Sequence, residues 1–389
     1  MALQNIAVLG ATGNIGTELL REVAEKDAPG LDKHKNPTNL IATASRDGIL
    51  VDPRGLSIQN DPALIARLQA RDIELASQGK PRTALRDYLR EQKGYQEGAT
   101  LGDLFDVIRN QGLIEDVVFI DVTAGDLTGF HQTVMENGGR IVTANKVPVA
   151  QSSWEVFKLL TEFRTKYGYS CSVMAGAGAV PFLRDGFDMS DTVESIEGCF
   201  SGTLGKMCNL LYEGKVTFSE AVKQLKLAGD TEPDPRDDLS GMDVAKKIVI
   251  LARTSGYEVN LEDVEVEPFV AGGFRELSDI GVEEFMAKSK IFDDEIAAKF
   301  EAAKKEGKTL RYVASLKIEN GKPVVKLGLR EEKLDSPLGS LKGNGNKVVI
   351  YTSAYNKVPF ELAAPGSGTS ITAGNIRRNL LEQLENRKM

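Results

Sequence analysis

The chain has 389 residues, 41% hydrophobic and 27% charged, with a formal net charge of -8; this suits two or three globular domains and argues against a nucleic-acid partner. No apolar run approaches the roughly 20 residues of a bilayer span, and Met1 leads into an apolar stretch without a basic leader. Three cysteines without a CxxC pair (Cys171, Cys199, Cys208) point to a reducing, cytoplasmic setting, and with only His34 and His131 present a zinc site built from several histidines is excluded, so no metal is expected.

Residues 6–9 form an apolar run, followed by the turn GATGNIG and a helical pattern over 17–24. Apolar runs at 39–44, 116–122 and 140–144 alternate with helical stretches at 101–109 and 131–137. That alternation predicts a parallel sheet with covering helices. The charged stretch 47–98, with helical patterns at 63–70 and 82–91, reads as an elaboration of the sheet's edge. Beyond 150 the character changes to mixed α+β. Helices are expected over 154–167, 201–211, 218–227 and 243–255, and a glycine-rich run lies at 173–181. Strands at 310–316 and 323–329 flank Glu319-Asn320-Gly321-Lys322, a hairpin signal. A strand over 347–352 precedes APGSGTSITAG and a last helix over 376–385.

The turn after the first strand carries Gly10, Gly13 and Gly16. Glycine there permits a tight turn and close approach of a pyrophosphate, while Thr12, Asn14 and Ile15 lie where a helix N-terminus offers N–H donors. The spacing is GxxGxxG, a variant of the Rossmann fingerprint, and a glycine turn with no ligand is the competing reading. The second strand ends in Ala44-Ser45-Arg46. An acid usually holds the ribose of NAD at that place, whereas Ser45 and Arg46 suit a 2′-phosphate. NADP(H) is therefore favoured, NAD(H) stays open, and a solvated arginine is the plain alternative. RIVTANK sets Lys146 just past a strand end, with Thr123 of DVTAG lining the same opening. A lysine there can polarise a carbonyl or stabilise an alkoxide; a loop lysine without a task is the alternative.

AGDTEPDPRDDLSGMDVAKK, residues 228–247, gathers Glu232, Asp234, Asp237, Asp238 and Asp243 beside Arg236, Lys246 and Lys247. Pro233 and Pro235 bar a helix through TEPDP, and Ser240 reads as the N-cap of the next helix. Asp243 and Lys247, four apart, share a helical face. A capping acid and a surface ion pair would explain them blandly. A stiffened acidic loop also suits an amino-acid ammonium, and a carbonyl accepting hydride needs a cation or acid near its oxygen.

This segment resembles the signature of homoserine dehydrogenases. SGT at 201–203, VTANK at 142–146 and PGSGTSITAG at 365–374 resemble further motifs of that family, in the same order. From 200 onward the chain is similar to the dehydrogenase half of bifunctional aspartokinase–homoserine dehydrogenases. The resemblance implies NAD(P)H-dependent reduction of L-aspartate 4-semialdehyde to L-homoserine, on the route to threonine and methionine. It implies Lys247 as catalytic lysine and Lys146 as the second, with Glu232, Asp238, Asp243, Gly202 and Thr203 around the substrate and Gly368 closing over the cofactor. It implies a homodimer and three parts: a dinucleotide domain over 1–150, a substrate-binding, catalytic and dimerisation domain over 151–364, and a glycine loop and helix over 365–389 that return to the first. Neither a kinase domain nor threonine feedback through a regulatory domain is expected.

Two positions depart from the family's pattern. Asp230 stands where the family has tyrosine, and Ser170, in YSCSVMAGAGAVP, stands where it has an acid beside a monovalent cation. The serine counts against a sodium or potassium site. Aspartate-semialdehyde dehydrogenase is the enzymatic rival, since it shares a GATGxxG turn, but it needs a nucleophilic cysteine with a histidine base. A noncatalytic NADP-binding sensor is the rival of another class, and would have no use for Lys146, Glu232, Asp243 and Lys247.

Overall fold

A computed structural model describes residues 3–27, 37–270, 277 and 279–386; His34 lies outside them. The chain divides into two compact units, Met1–Gly176 with Gly368–Met389, and Ala177–Ser367.

The first unit is built on strands β1 (Gln4–Leu9), β2 (Thr38–Ala44), β3 (Gly48–Val51), β4 (Tyr95–Glu97), β5 (Val117–Asp121), β6 (Arg140–Thr143) and β7 (Tyr167–Gly168). Their order is β4-β3-β2-β1-β5-β6-β7. β1 pairs in parallel with β2 on one side and β5 on the other. The chain thus reverses its direction of travel across the sheet at β1, the switch point where α/β sheets bind ligands. Ile6, Ala7, Val8 and Leu9 are at most 1% exposed, as a parallel strand covered on both faces must be.

The sheet is not wholly parallel. β3 and β4, from the 47–98 stretch, add antiparallel strands at the β2 edge. At the other edge the helix expected over 154–167 stops at Thr161. Its chain then forms β7, parallel to β6. That pairing carries the first unit to Gly176, so the boundary expected at 150 falls 26 residues further on (176 − 150). The last helix, Thr369–Asn386, begins before the expected 376. Its Ala373, Ile376, Leu380 and Leu384 are fully buried. Arg377 pairs with Glu22 of the helix Asn14–Lys26 and with Asp27, which caps its C-terminal end.

The second unit is a six-stranded sheet flanked by helices. Its strands are β8 (Val193–Cys199), β9 (Glu265–Val266), β10 (Lys308–Glu319), β11 (Lys322–Lys333), β12 (Gly345–Thr352) and β13 (Phe360–Pro365), ordered β13-β12-β8-β10-β11-β9. The β10–β11 hairpin runs in register from Lys308↔Lys333 to Glu319↔Lys322. Its turn has φ of 50° at Asn320 and 77° at Gly321, the left-handed pair that an Asn-Gly turn supplies. β8, between β12 and β10, has no counterpart among the expected strands. Its Glu197 breaks the apolar pattern, and Arg330 of β11, at 2.8 and 2.9 Å, with Lys317 at 3.7 Å, makes that acid tolerable on a sheet face. The Rossmann-type sheet with a second α+β unit is the architecture the sequence predicts.

Candidate active site

At the switch point, Gly10 has φ of 85°, and a side chain on it would stand 3.1 Å from Thr123 Cγ2. A Cβ on Gly16 would lie 2.2 Å from the Gly10 carbonyl oxygen. These two glycines let the turn and the following helix close onto β1. Gly13, at the N-cap of the helix Asn14–Lys26, offers no side-chain cap. The first-turn N–H groups of Asn14, Ile15 and Gly16 are therefore left for an anion or water. Thr12 is half-buried, Gly13 and Asn14 are exposed, and Ser45 and Arg46 follow directly on β2. Ser45 closes the β2–β3 turn by donating its N–H to the Gly48 carbonyl at 3.0 Å.

Beside this turn a buried polar network fixes the ends of β5 and β6. Asp121, His131 and Tyr167 are fully buried. His131 Nδ1 meets the Tyr167 hydroxyl at 2.8 Å, and Nε2 meets Asp121 Oδ2 at 3.1 Å. Thr123 donates to Asp121 Oδ1 at 2.7 Å. Asn145 donates to Asp121 Oδ2 at 2.9 Å, Thr123 Oγ1 at 3.2 Å and the Gly125 carbonyl at 2.7 Å, and accepts from Val147 N at 3.0 Å. Asn145 thus ties the two strand ends together and shapes the turn that carries Lys146, the half-buried N-cap of the short helix Val147–Ala150. Burial raises the Tyr167 hydroxyl pKa far above its ordinary value, with Asp121 adding to the effect. Asp121, Asn145 and Tyr167 were not singled out from the sequence; the repeated strand-end motifs DVTAG and TANK were the available signal.

In the second unit the helix Met242–Thr254 carries Lys247, 7% exposed despite its charge. Lys247 Nζ donates to the Phe200 carbonyl at 2.6 Å and pairs with Asp243 Oδ2 at 2.7 Å. Phe200 follows β8, and Ser201 caps the helix Gly202–Glu213 by accepting from Leu204 N. The lysine therefore bridges the SGT turn and its own helix. Two local expectations are corrected. Ser240 is not the N-cap: Gly241, with φ of 75°, holds that place because a Cβ there would meet the Tyr312 hydroxyl at 2.0 Å. A short helix, Pro235–Leu239, begins at the second proline, since proline at a first helical position loses no hydrogen bond.

Around the lysine, the half-buried Asp238 accepts from Glu232 N at 2.8 Å. Burial holds the Asp238 carboxyl above its ordinary pKa, and nearby Asp243 and Asp237 add to this, while Glu232 N–H and Thr203 oppose it. Thr203 donates to the Asp230 carbonyl at 2.6 Å. The Asp230 carboxylate pairs with Lys206, one turn along the same helix from Thr203. Lys206 is a further residue missed in the sequence, its clue being the acid at 230. The side chains of Glu232 and Asp243 face solvent. Asp234 and Arg236 stand apart from the lysine's contacts. Arg236 grips Asp234 at 2.6 Å, lowering its pKa, and donates to the Leu277 and Ile280 carbonyls, each at 2.8 Å. Their task is to staple the loop.

Gly368, with φ of 144°, precedes the last helix, and its carbonyl accepts from Thr372 N and Oγ1 at 2.9 and 2.8 Å. Ser170 is buried and its hydroxyl accepts from Asn379 at 3.3 Å. Among the described residues no three His, Cys, Asp or Glu side chains group as metal ligands, and no helix is long and apolar enough to cross a membrane. All three cysteines are buried, which pushes each thiol up to about 12. None is an activated nucleophile.

Residues 182–381 match the homoserine dehydrogenase family. The chain is 35% identical over 279 residues to a homoserine dehydrogenase from Emericella nidulans, covering 69% of this chain and 75% of that protein. It is 34% identical over 297 residues to a chloroplastic bifunctional aspartokinase/homoserine dehydrogenase from Daucus carota, covering 75% of this chain and 32% of that protein. The chain thus spans about a third of the length of that bifunctional relative. A hyperthermophilic archaeal homoserine dehydrogenase, solved in complex with NADPH, shares the fold, with a TM-score of 0.67 and 22% identity, covering 99% of this chain and 98% of that one.

Proposed function

Since the chain belongs to the homoserine dehydrogenase family, we propose that it reversibly reduces L-aspartate 4-semialdehyde to L-homoserine with NAD(P)H. The observation that carries this reading is the buried Lys247, held at 2.6 Å by the Phe200 carbonyl and at 2.7 Å by Asp243. Burying an ammonium is costly unless it is paired, and here the pairing also fixes its position.

The residues of the glycine turn fit a dinucleotide: a close-packed turn, an uncapped helix N-terminus, and Ser45 and Arg46 at the end of β2. NADPH is the preferred cofactor in this reading, with NADH the alternative; when bound it supplies the hydride. Gly10, Thr12, Gly13, Asn14, Ile15 and Gly16 hold its phosphates, with Thr123, Lys146 and Gly368 assigned to the same ligand. Reduction of the C4 aldehyde leaves negative charge on its oxygen. Lys247 stabilises that charge and returns a proton, directly or through a water that it holds. Glu232, Asp238 and Asp243 bind the substrate's ammonium, Gly202 and Thr203 shape the turn beside it, and Lys146 is the second catalytic lysine.

Lys247→Ala is expected to lower turnover by about 10³-fold or more, read as loss of NADPH absorbance with aspartate semialdehyde, while NADPH still binds. Activity within a few-fold of the parent would refute the assignment. Lys247→Arg keeps the charge without the proton transfer and separates the two contributions. A homodimer and a cytoplasmic location belong to the same reading; light scattering and cell fractionation check them.

A further inference from the structure

The 47–98 stretch supplies more than an edge to the sheet. We propose that its Arg86 and Arg90, together with Arg46, form the seat of the cofactor's 2′-phosphate and so select NADPH over NADH. The inference rests on the dinucleotide reading above.

In a sheet with a glycine turn after β1, the residues that follow β2 face the adenosine ribose. Here these are Ser45, Arg46 and Asp47. An acid at that place commonly holds the ribose hydroxyls and repels a 2′-phosphate. Asp47 is engaged otherwise. Its carboxylate lies 3.7 Å from Arg86 Nη1 and 3.8 Å from Arg90 Nη2, and its carbonyl accepts from Gly98 N at 2.8 Å. The acid is thereby turned toward the elaboration and its charge is offset.

The arginines come as a row. Arg82, Arg86 and Arg90 are spaced by four, the last two on the helix Ala84–Arg90, and all three are half-buried. The Nε atom of each is buried with no hydrogen-bond acceptor among the described residues. The Arg86 contacts to Asp47 and Asp87, both 3.7 Å, are longer than hydrogen bonds. Arg90 is held from its other side by Glu97. Arg46 is exposed across the β2–β3 turn. Arg86 and Arg90 share the three carboxylates Asp47, Asp87 and Glu97, and of these contacts only Arg90 with Glu97 is of hydrogen-bond length, while Arg46 and Arg82 bring two further guanidinium groups from neighbouring positions of the chain. Planar guanidinium forks suit phosphate oxygens better than any other side chain.

The test is calorimetric titration of the intact chain with NADPH, NADH, ADP-ribose and its 2′-phosphorylated analogue, so no turnover is needed. The parent chain is expected to bind the phosphorylated partner of each pair at least about tenfold more tightly, the worth of one charge-assisted hydrogen bond. Arg86→Gln with Arg90→Gln should weaken NADPH and the phosphorylated analogue by that factor and leave NADH and ADP-ribose within about twofold. Lys93→Gln, which removes an exposed charge from the same stretch, should change none of them. If the double variant melts early, Arg86→Gln alone should show the same selective loss. Equal weakening of all four ligands in a folded variant, or no weakening, overturns the proposal. A parent chain that binds both members of each pair equally overturns it and leaves the dinucleotide reading standing; one that binds none removes both.

Discussion

In the first unit the groups that shape the strand ends are sealed from water: Asp121 and His131 are fully buried and Asn145 is 3% exposed. In the second, Glu232 and Asp243 stand in solvent, and Lys247 is the one buried ion of the proposed site. The first region relies on backbone shape, with glycines and a saturated network setting where N–H groups and Lys146 are presented. The second relies on charge at the surface of a rigid helix. Backbone shape tolerates almost no change of volume. Exposed charge tolerates substitution until the one desolvated group is touched.

That contrast can be broken in graded steps. The largest effect outside Lys247 is expected from Gly16→Ala. Its new methyl would stand 2.2 Å from the Gly10 carbonyl oxygen and 2.7 Å from Ala11 Cα, neither of which can swing away. A loss of about 1–3 kcal/mol in stability should appear in urea unfolding, and dinucleotide affinity should collapse in titration. Unchanged binding would show that the turn is not the phosphate cradle.

Asp238→Asn should have an intermediate effect. The amide keeps an acceptor for Glu232 N but loses the charge, and KM for homoserine should rise about tenfold, the worth of a hydrogen bond to a charged group. The pH profile carries the sharper result. Burial raises the Asp238 pKa above its ordinary value. As pH falls through that raised value the parent protonates, loses its hold on the ammonium, and its KM climbs. In the Asn variant that acid limb should be flat; if it persists, another group is responsible.

The smallest effect is expected from Asp230→Tyr. Asp230 meets Thr203 through its backbone carbonyl, at 2.6 Å, which any residue supplies. Its side-chain pair with Lys206 is 30% exposed on both sides, and such pairs contribute little. The ratio kcat/KM should shift by less than about threefold (less than the tenfold of a 1.4 kcal/mol change), and a larger drop would mean that the Lys206 pair aligns the SGT turn.

The alternating pattern of the first 150 residues was legible because the parallel strands are built around short apolar runs and Gly10 and Gly16 of the turn answer local steric demands. The Asn320-Gly321 hairpin was legible for the same kind of reason, since its left-handed turn is specified by two adjacent residues. The pairing of Asp243 with Lys247 followed from helical spacing alone. β8 was not legible: its Glu197 reads as surface until Arg330 arrives from a strand 133 residues later. The end of the first unit was hidden as well, because two residues, Tyr167 and Gly168, form β7 only by pairing with β6.

The sequence by itself determined the alternating strands and helices on either side of the glycine turn, the turn itself, the Asn320-Gly321 hairpin, and the residues that family membership marks around Lys247. Tertiary structure decided what those residues touch. It brought the Phe200 carbonyl to Lys247 across 47 positions and Asn145 to Asp121 across 24. It also set Arg86 against Asp47 at the end of β2. Local backbone preference acts over a few neighbours, so periodicity and turn residues record it directly. Which buried donor meets which distant acceptor depends on how whole elements pack, and no short window of sequence contains that information.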